Sequence, residues 1–549
     1  MRLSRHLGAC AAAGLLAFGA AAQDHPRVQA PAGILEGRVS GDTHVFNGIP
    51  YAQPPVGPRR WKAPEPLPPW QGVRDAGSPG LACVQPRATT TSVYTNPPPA
   101  TGEDCLTLNI TVPTGAGQNG AKAAPVLIWI HGGTLINGRG YNAMYDGTAM
   151  AGRGVIVVSI NYRLGVLGYM AHPGLSAENP DGISGNYGLL DQIEALRWVR
   201  DNIAAFGGDP GNVTISGESA GALSVMYLMA SPLAKGLFAK AIVQSGYMIS
   251  GPELKQPNHG EFAAEAIGAY IVAQAGATDV ASMRAMDAQA LADVGARLNY
   301  FPLGTVDGKV LTGQLVDVFD RGEQAPVPIL TGFNGGEIRS LRHLLPPKPA
   351  DAKAYETVIA EKYGDLAGSF LRLYPSDDLE ESMLAVTRDA LYAWTSERLV
   401  RDQTALGRDA YYYFFDHAYP AAAEKGLNAF HAAEIPYVFG TMKHTPAYWP
   451  KAPDSPAERA LSSAMTDYWA SFARDGRPVA TGQPDWPAYG QDRGFMAFAD
   501  TPRPGHRLME GMFDLHETAM CRRRAAGTLQ WNWNTGVISP VLPQNGGEC

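Results

Sequence analysis

FGGDPGNVTISGESAG, running from Phe206 to Gly221, places a serine where a β-strand turns sharply into a helix. Val213, Thr214 and Ile215 are β-branched and read as a short buried strand, while Ala220, Ala222, Leu223, Val225, Met226 and Leu228 read as the helix that follows. Gly217 and Gly221 flank Ser219 at minus two and plus two, where so tight a turn leaves no room for a Cβ and imposes strained dihedrals on the serine. The hydroxyl is thereby held out of the turn as a candidate nucleophile. The helix start also aims backbone N–H groups and a partial positive charge at whatever lies over Ser219, which suits an oxyanion. Gly-x-Ser-x-Gly occurs once in a chain with 62 glycines, and an ordinary glycine turn is the bland alternative, so the partners of Ser219 carry the decision.

Outward from this stretch, Val126 to Ile130, Val155 to Ile160, Ala239 to Gln244 and Val327 to Thr331 are continuous apolar or β-branched runs, the pattern of strands covered on both faces. Helical patterns such as Leu189 to Asn202 and Gly260 to Ala275 lie between them. The alternation predicts an α/β fold with a large, mostly parallel central sheet and helices on both faces. Residues 34–113 read as short strands and proline-rich turns. Residues 347–406 read as a helix-rich subdomain, Tyr411 to Phe415 resumes strand character, and the part containing Trp486, Trp531 and Trp533 reads as wrapping structure. With no long linker, residues 23–549 are expected to form a single domain.

A serine hydroxyl needs a base within hydrogen-bond reach and a carboxylate to fix that base's tautomer. In open parallel sheets such groups sit on loops beyond the carboxyl ends of strands. Glu337 follows the strand Val327 to Thr331, and His431 lies in a loop after Tyr411 to Phe415, with His343, His417 and His444 as competitors. The order Ser, Glu, His is that of the α/β-hydrolases. The loop WIHGGTLINGRG, Trp129 to Gly140, follows the first strong strand, and its paired glycines allow backbone N–H groups to converge. Gly133 and Thr134 are expected to donate from it to an oxyanion, with Ala220 completing the hole. Nucleophile, base and electrophilic stabilisation all come from the protein in such a site, so neither a metal nor an organic cofactor is expected.

The net charge of −8 and the absence of a basic cluster argue against nucleic acid as a partner. Arg2 and Arg5, the apolar run Leu7 to Phe18 and the small residues Ala20 to Ala22 read as a secretory signal over residues 1–22, so the chain is expected to be exported to a periplasmic or extracellular space. No run reaches the roughly 20 apolar residues of a membrane span. Cleavage removes Cys10 and leaves Cys83, Cys105, Cys521 and Cys549, which suggest two disulfides in one of three connectivities; pairing Cys83 with Cys105 and Cys521 with Cys549 is the simplest.

These residues resemble the type-B carboxylesterases, a family that includes cholinesterases and bacterial para-nitrobenzyl esterases. FGGDPGNVTISGESAG resembles the family's serine signature, and EDCLTLNITVP, Glu103 to Pro113, its cysteine signature, with Thr111 where a larger apolar residue is usual. NGIPYAQPPVGPRRW, SINYRLGVLGY, GNYGLLDQIEALRWVRDNIAAFGGD, GFNGGE, HAAEIPYVFG and YWASFARDGRP match further along. The resemblance implies a Ser219, Glu337, His431 triad, an oxyanion hole of Gly133, Thr134 and Ala220, supporting roles for Glu218 and Ser245, and a Cys83 to Cys105 disulfide. It implies hydrolysis of small-molecule carboxylic esters through an acyl-enzyme. The alternatives are an amidase or thioesterase on the same site, or a catalytically silent binding or adhesion protein on the same scaffold. Thr134 stands where relatives carry glycine or alanine, Leu135 replaces an aromatic, and the segment between Cys83 and Cys105 has no Trp, only Tyr94, so choline esters are not expected substrates. Arg139, Arg339 and Arg342 are candidate receivers of a carboxylate-bearing ester.

Overall fold

The apolar runs become strands of one 11-stranded sheet in a computed structural model that describes residues 25–117, 122–527 and 535–543. In chain order the strands are β1 (Arg38–Ser40), β2 (Thr43–Pro50), β3 (Thr107–Pro113), β4 (Ala124–Ile130), β5 (Ile156–Ile160), β6 (Gly208–Glu218), β7 (Lys240–Gln244), β8 (Ile329–Asn334), β9 (Ala410–Phe415), β10 (Gly494–Phe498) and β11 (Pro502–His506). Across the sheet they lie β11-β10-β9-β8-β7-β6-β4-β5-β3-β2-β1. The strands from β10 through β5 are mutually parallel. β11 joins one end antiparallel, and β3, β2 and β1 form an antiparallel ribbon at the other.

Successive side chains of a strand point to opposite faces, and here both faces are buried. On β4, Val126, Ile128 and Ile130 pack in one core cluster with Leu189 and Leu196 of helix α1 (Tyr187–Asn202) and with helix α2 (Ala220–Ala230). Leu127 and Trp129 pack in the other with Leu461, Met465 and Trp469 of helix α3 (Pro456–Asp475). α3 starts where the Ser455 side chain accepts from the Glu458 N–H and Pro456 opens the first turn; it ends at Gly476, whose φ of 74° a side chain would resist.

Residues 352–405 form consecutive helices, Ala352–Tyr363, Ala367–Leu373, Leu379–Arg388 and Trp394–Ala405, the last two joined through a π-helical turn, Asp389–Ala393. The sequence reading treated the region before the final helix only as wrapping structure, whereas Gly494–Phe498 and Pro502–His506 extend the main sheet. Pro502 and Pro504 hide the second of these from a propensity reading, yet prolines are tolerated on an edge strand. Cys83 and Cys105 form a disulfide. The segment read as a secretory signal, Trp531, Trp533 and Cys549 lie outside the described residues, and so does the pairing expected between Cys521 and Cys549. No helix among the described residues is long and apolar enough to cross a membrane.

Candidate active site

Ser219 occupies the sharp corner between β6 and α2 with φ 58° and ψ −122°, a conformation rare for any residue with a side chain. The corner is tight because its glycines touch backbone directly. A Cβ on Gly221 would lie 2.0 Å from the Ile130 carbonyl oxygen, and one on Gly217 would lie 2.5 Å from the Gly221 carbonyl. The Ser219 N–H donates to the Gln244 carbonyl at 2.9 Å, which pins the corner to β7.

Ile130 pairs with Gly217, so the loop leaving β4 emerges beside the serine. A Cβ on Gly132 would lie 3.2 Å from the Ser219 Cβ, which places this loop against the Ser219 corner. Gly133, Thr134 and Leu135 follow with φ of 107°, 61° and 57°. A β-branched residue in the left-handed region stores about 1 to 3 kcal/mol of strain, and the surroundings hold it there. Tyr162 donates to the His131 carbonyl, the N–H groups of Ile136 and Asn137 to the Gly133 carbonyl, and that of Gly165 to the Leu135 carbonyl. Among the described residues, the N–H groups of Gly133, Thr134 and Ala220 donate to no protein acceptor. Burial lowers the pKa of His131 to about 4, so this ring beneath the loop is neutral.

His431 Nδ1 lies 2.5 Å from Glu337 Oε2, and the other oxygen of that carboxylate accepts from the Asn334 N–H at 2.8 Å. Glu337 is fully buried and its loop is tied to the His431 loop by the Gly336 N–H donating to the Ala429 carbonyl. The second ring nitrogen, Nε2, lies 3.0 Å from Oε1 of Glu218, the residue preceding the serine. Ser219 Oγ makes no hydrogen bond to His431 among the described residues. The imidazole thus reaches the corner with Nε2 close to Glu218 Oε1, an oxygen that is buried and accepts no hydrogen bond among the described residues. Burial lowers the His431 pKa, and the charges of Glu218 and Glu337 with the Glu337 hydrogen bond outweigh it, lifting it to about 9. Burial pushes Glu218 up to about 8 against the attraction of His431.

A third carboxylate, Glu434, is also fully buried. It accepts from Gln244 Nε2 at 2.9 Å and from Asn334 Nδ2 at 2.6 Å, and burial raises its pKa. The sequence reading missed this support, although Glu434 stands in the quoted HAAEIPYVFG stretch. Ser245, at the end of β7, is fully buried with φ 49° and donates its N–H to the Gly332 carbonyl.

Of the competing histidines, His417 pairs with Glu458 at 3.0 Å, and His343 and His444 are exposed. Arg339 and Arg342 are paired with Glu381 and Glu380. Arg139, near the end of the loop that leaves β4, donates to the backbone and side-chain oxygens of Asn96 and has no acidic partner among the described residues. Its Nε is buried without a hydrogen bond.

The sequence model of the Carboxylesterase family matches residues 24–514. The chain is similar to a fumonisin B1 esterase of Sphingopyxis macrogoltabida, 35% identical over 530 residues that cover 92% of this chain and 94% of that protein. It is similar to a para-nitrobenzyl esterase of Bacillus subtilis, 34% identical over 487 residues covering 85% and 93%. Among solved structures, a PNB esterase aligns with a TM-score of 0.76 at 32% identity, covering 89% of this chain and 99% of that one.

Proposed function

The chain belongs to the carboxylesterase family, with its α/β-hydrolase fold, and hydrolyses carboxylic esters; from that premise we propose how its residues divide the reaction. Ser219 is the nucleophile, His431 the general base and then acid, and Glu337 the carboxylate that holds Nδ1–H and leaves the Nε2 lone pair free. Ser219 Oγ attacks the ester carbonyl while Nε2 takes its proton; the oxyanion is received by the N–H groups of Gly133, Thr134 and Ala220. Collapse breaks the bond to the alcohol oxygen, which leaves with the proton from Nε2. Water then attacks the acyl-serine by the same route and releases the acid. Glu218 lies beside Nε2 and its charge favours the imidazolium, and Glu434 and Ser245 support the frame.

The observation that carries this reading is one imidazole joined at Nδ1 to a buried carboxylate, with Nε2 beside the residue that precedes the strained serine. Ser219→Ala tests it. A folded variant is expected to lose turnover of a para-nitrophenyl ester, and retention of wild-type turnover contradicts the assignment.

A second, finer reading concerns the substrate. Arg139 is a guanidinium near the oxyanion loop without an acidic partner among the described residues, which favours acyl groups that carry a free carboxylate. A succinate half-ester is then hydrolysed faster than the neutral butyrate ester, and Arg139→Gln abolishes the difference; equal rates in the wild type refute it. The leader residues and the disulfide of Cys83 and Cys105 support export to an oxidising compartment. N-terminal sequencing of protein recovered from outside the cytoplasm is expected to begin near Gln23, and an intact leader contradicts it.

A further inference from the structure

The segment closed by the disulfide of Cys83 and Cys105 crosses the active site as a strap. Arg87 to Ser92 are exposed, while residues on either side turn inward and bond to the catalytic loops. Gln85 exchanges two hydrogen bonds with the backbone of Gly138, at 3.0 and 3.1 Å, and Asn96 receives Arg139 at 2.7 Å, so one side of the strap grips the oxyanion loop. Tyr94 grips the other side. Its hydroxyl donates to the His431 carbonyl at 2.9 Å and lies 2.6 Å from Ser340 Oγ, on the turn that begins at Glu337. Tyr94 and Ser340 share a hydrogen bond in which either hydroxyl can donate, and Ser340 Oγ also lies 3.4 Å from the Glu337 carbonyl. One oxygen thereby joins the loop of the carboxylate to the loop of the base.

The backbone at this point needs holding. Ala432, directly after His431, has φ 68°, a left-handed conformation that costs free energy for any residue with a Cβ, and it sets the direction of the carbonyl that Tyr94 caps. The Tyr94 ring stands edge-on to the imidazole, with centroids 6.4 Å apart, and edge-on to Trp449 at 6.0 Å. Tyr392, on the π-helical turn, lies against the ring from another side at 5.3 Å. Imidazole and backbone are thus confined together.

We propose that Tyr94 is a positioning residue for His431, delivered by the disulfide-closed strap, and that the strap is a working part of the active site. The inference rests on the assignment of Ser219 and His431 made above. A base displaced by a fraction of an ångström transfers the serine proton less efficiently, while ground-state binding of a small ester is hardly affected, so the loss falls on kcat.

Tyr94→Phe removes the hydroxyl and keeps the ring. On a short-chain para-nitrophenyl ester, kcat is expected to fall about tenfold with KM within about twofold of wild type. A fluorophosphonate probe is expected to label Ser219 in the variant to full stoichiometry but about tenfold more slowly. Replacing Cys83 and Cys105 together by Ala opens the strap and is expected to lower kcat by a similar factor, with little further loss when Tyr94→Phe is added, because both changes break one coupled unit. A folded Tyr94→Phe protein with wild-type kcat and labelling rate overturns the proposal, as does a loss confined to KM. Failure of the wild-type serine to label at all is a different result and strikes the catalytic assignment itself.

Discussion

Glu218→Gln keeps the shape of the side chain and removes its charge. Glu218 Oε1 lies 3.0 Å from His431 Nε2, both side chains are at most 7% exposed, and Glu337 holds the other ring nitrogen at 2.5 Å. Two unit charges about 4 Å apart interact by about 4 kcal/mol at an effective dielectric of about 20, which corresponds to about 3 pH units. Burial pushes the Glu218 carboxyl up to about 8, so near neutrality it is ionised in only part of the population and the full figure is an upper bound. A downward move of about 1 to 2 units is expected. The sign follows from the chemistry: His431 is a base only when neutral, its pKa is raised to about 9, and wild-type kcat/KM therefore climbs as pH rises through that limb. Without the Glu218 charge the imidazolium is less favoured and the limb shifts to lower pH. The assay is kcat/KM for a para-nitrophenyl ester between about pH 5 and about pH 10, corrected for spontaneous hydrolysis. A limb that stays within about 0.3 units of wild type, or moves upward, refutes the view that the Glu218 charge raises the pKa of His431.

Three further outcomes follow from the same geometry. Thr134→Gly keeps the N–H and relieves a β-branched residue at φ 61°, so the variant is expected to melt about 1 to 2 °C higher with kcat/KM within about threefold of wild type; a lower melting temperature contradicts the strain. Glu337→Gln leaves the imidazole tautomer unfixed and is expected to cut kcat by about 10³ to 10⁴ with KM little changed, whereas a loss below about tenfold removes Glu337 from its role. Gly221→Ala drives a methyl to 2.0 Å from the Ile130 carbonyl, and either loss of soluble protein or a fall in kcat/KM of at least about 100-fold is expected; a folded variant with wild-type kinetics shows that the corner has room.

The fold was legible where burial made strands continuously apolar. β4, β5, β7, β8 and β9 stand within a few residues of the runs read from the sequence, because strands covered on both faces cannot carry polar alternation. β10 and β11 were not legible, since GFMAF is short and PRPGH is proline-rich; β10 is recruited by pairing with β9, and β11 becomes the edge strand only by pairing with β10. In the site, Ser219 and the glycine loop declared themselves locally through turn chemistry. Glu337 and His431 lie 94 residues apart, so spacing left four histidines open until the folded chain put one of them on Glu337. Tyr94 carried no local signal: its role comes from a disulfide-closed strap folding back over residues more than 200 positions away.

A fluorophosphonate forms a bond between serine Oγ and phosphorus as fluoride leaves, and so reports an activated nucleophile directly. Mass spectrometry of the labelled wild-type chain is the most direct test of the central assignment, a serine at the β6–α2 corner activated by His431 and Glu337. One adduct per chain, on Ser219 and greatly slowed by His431→Ala, is the predicted result. Folded, ester-hydrolysing protein that carries no adduct, or carries it on another residue, contradicts it.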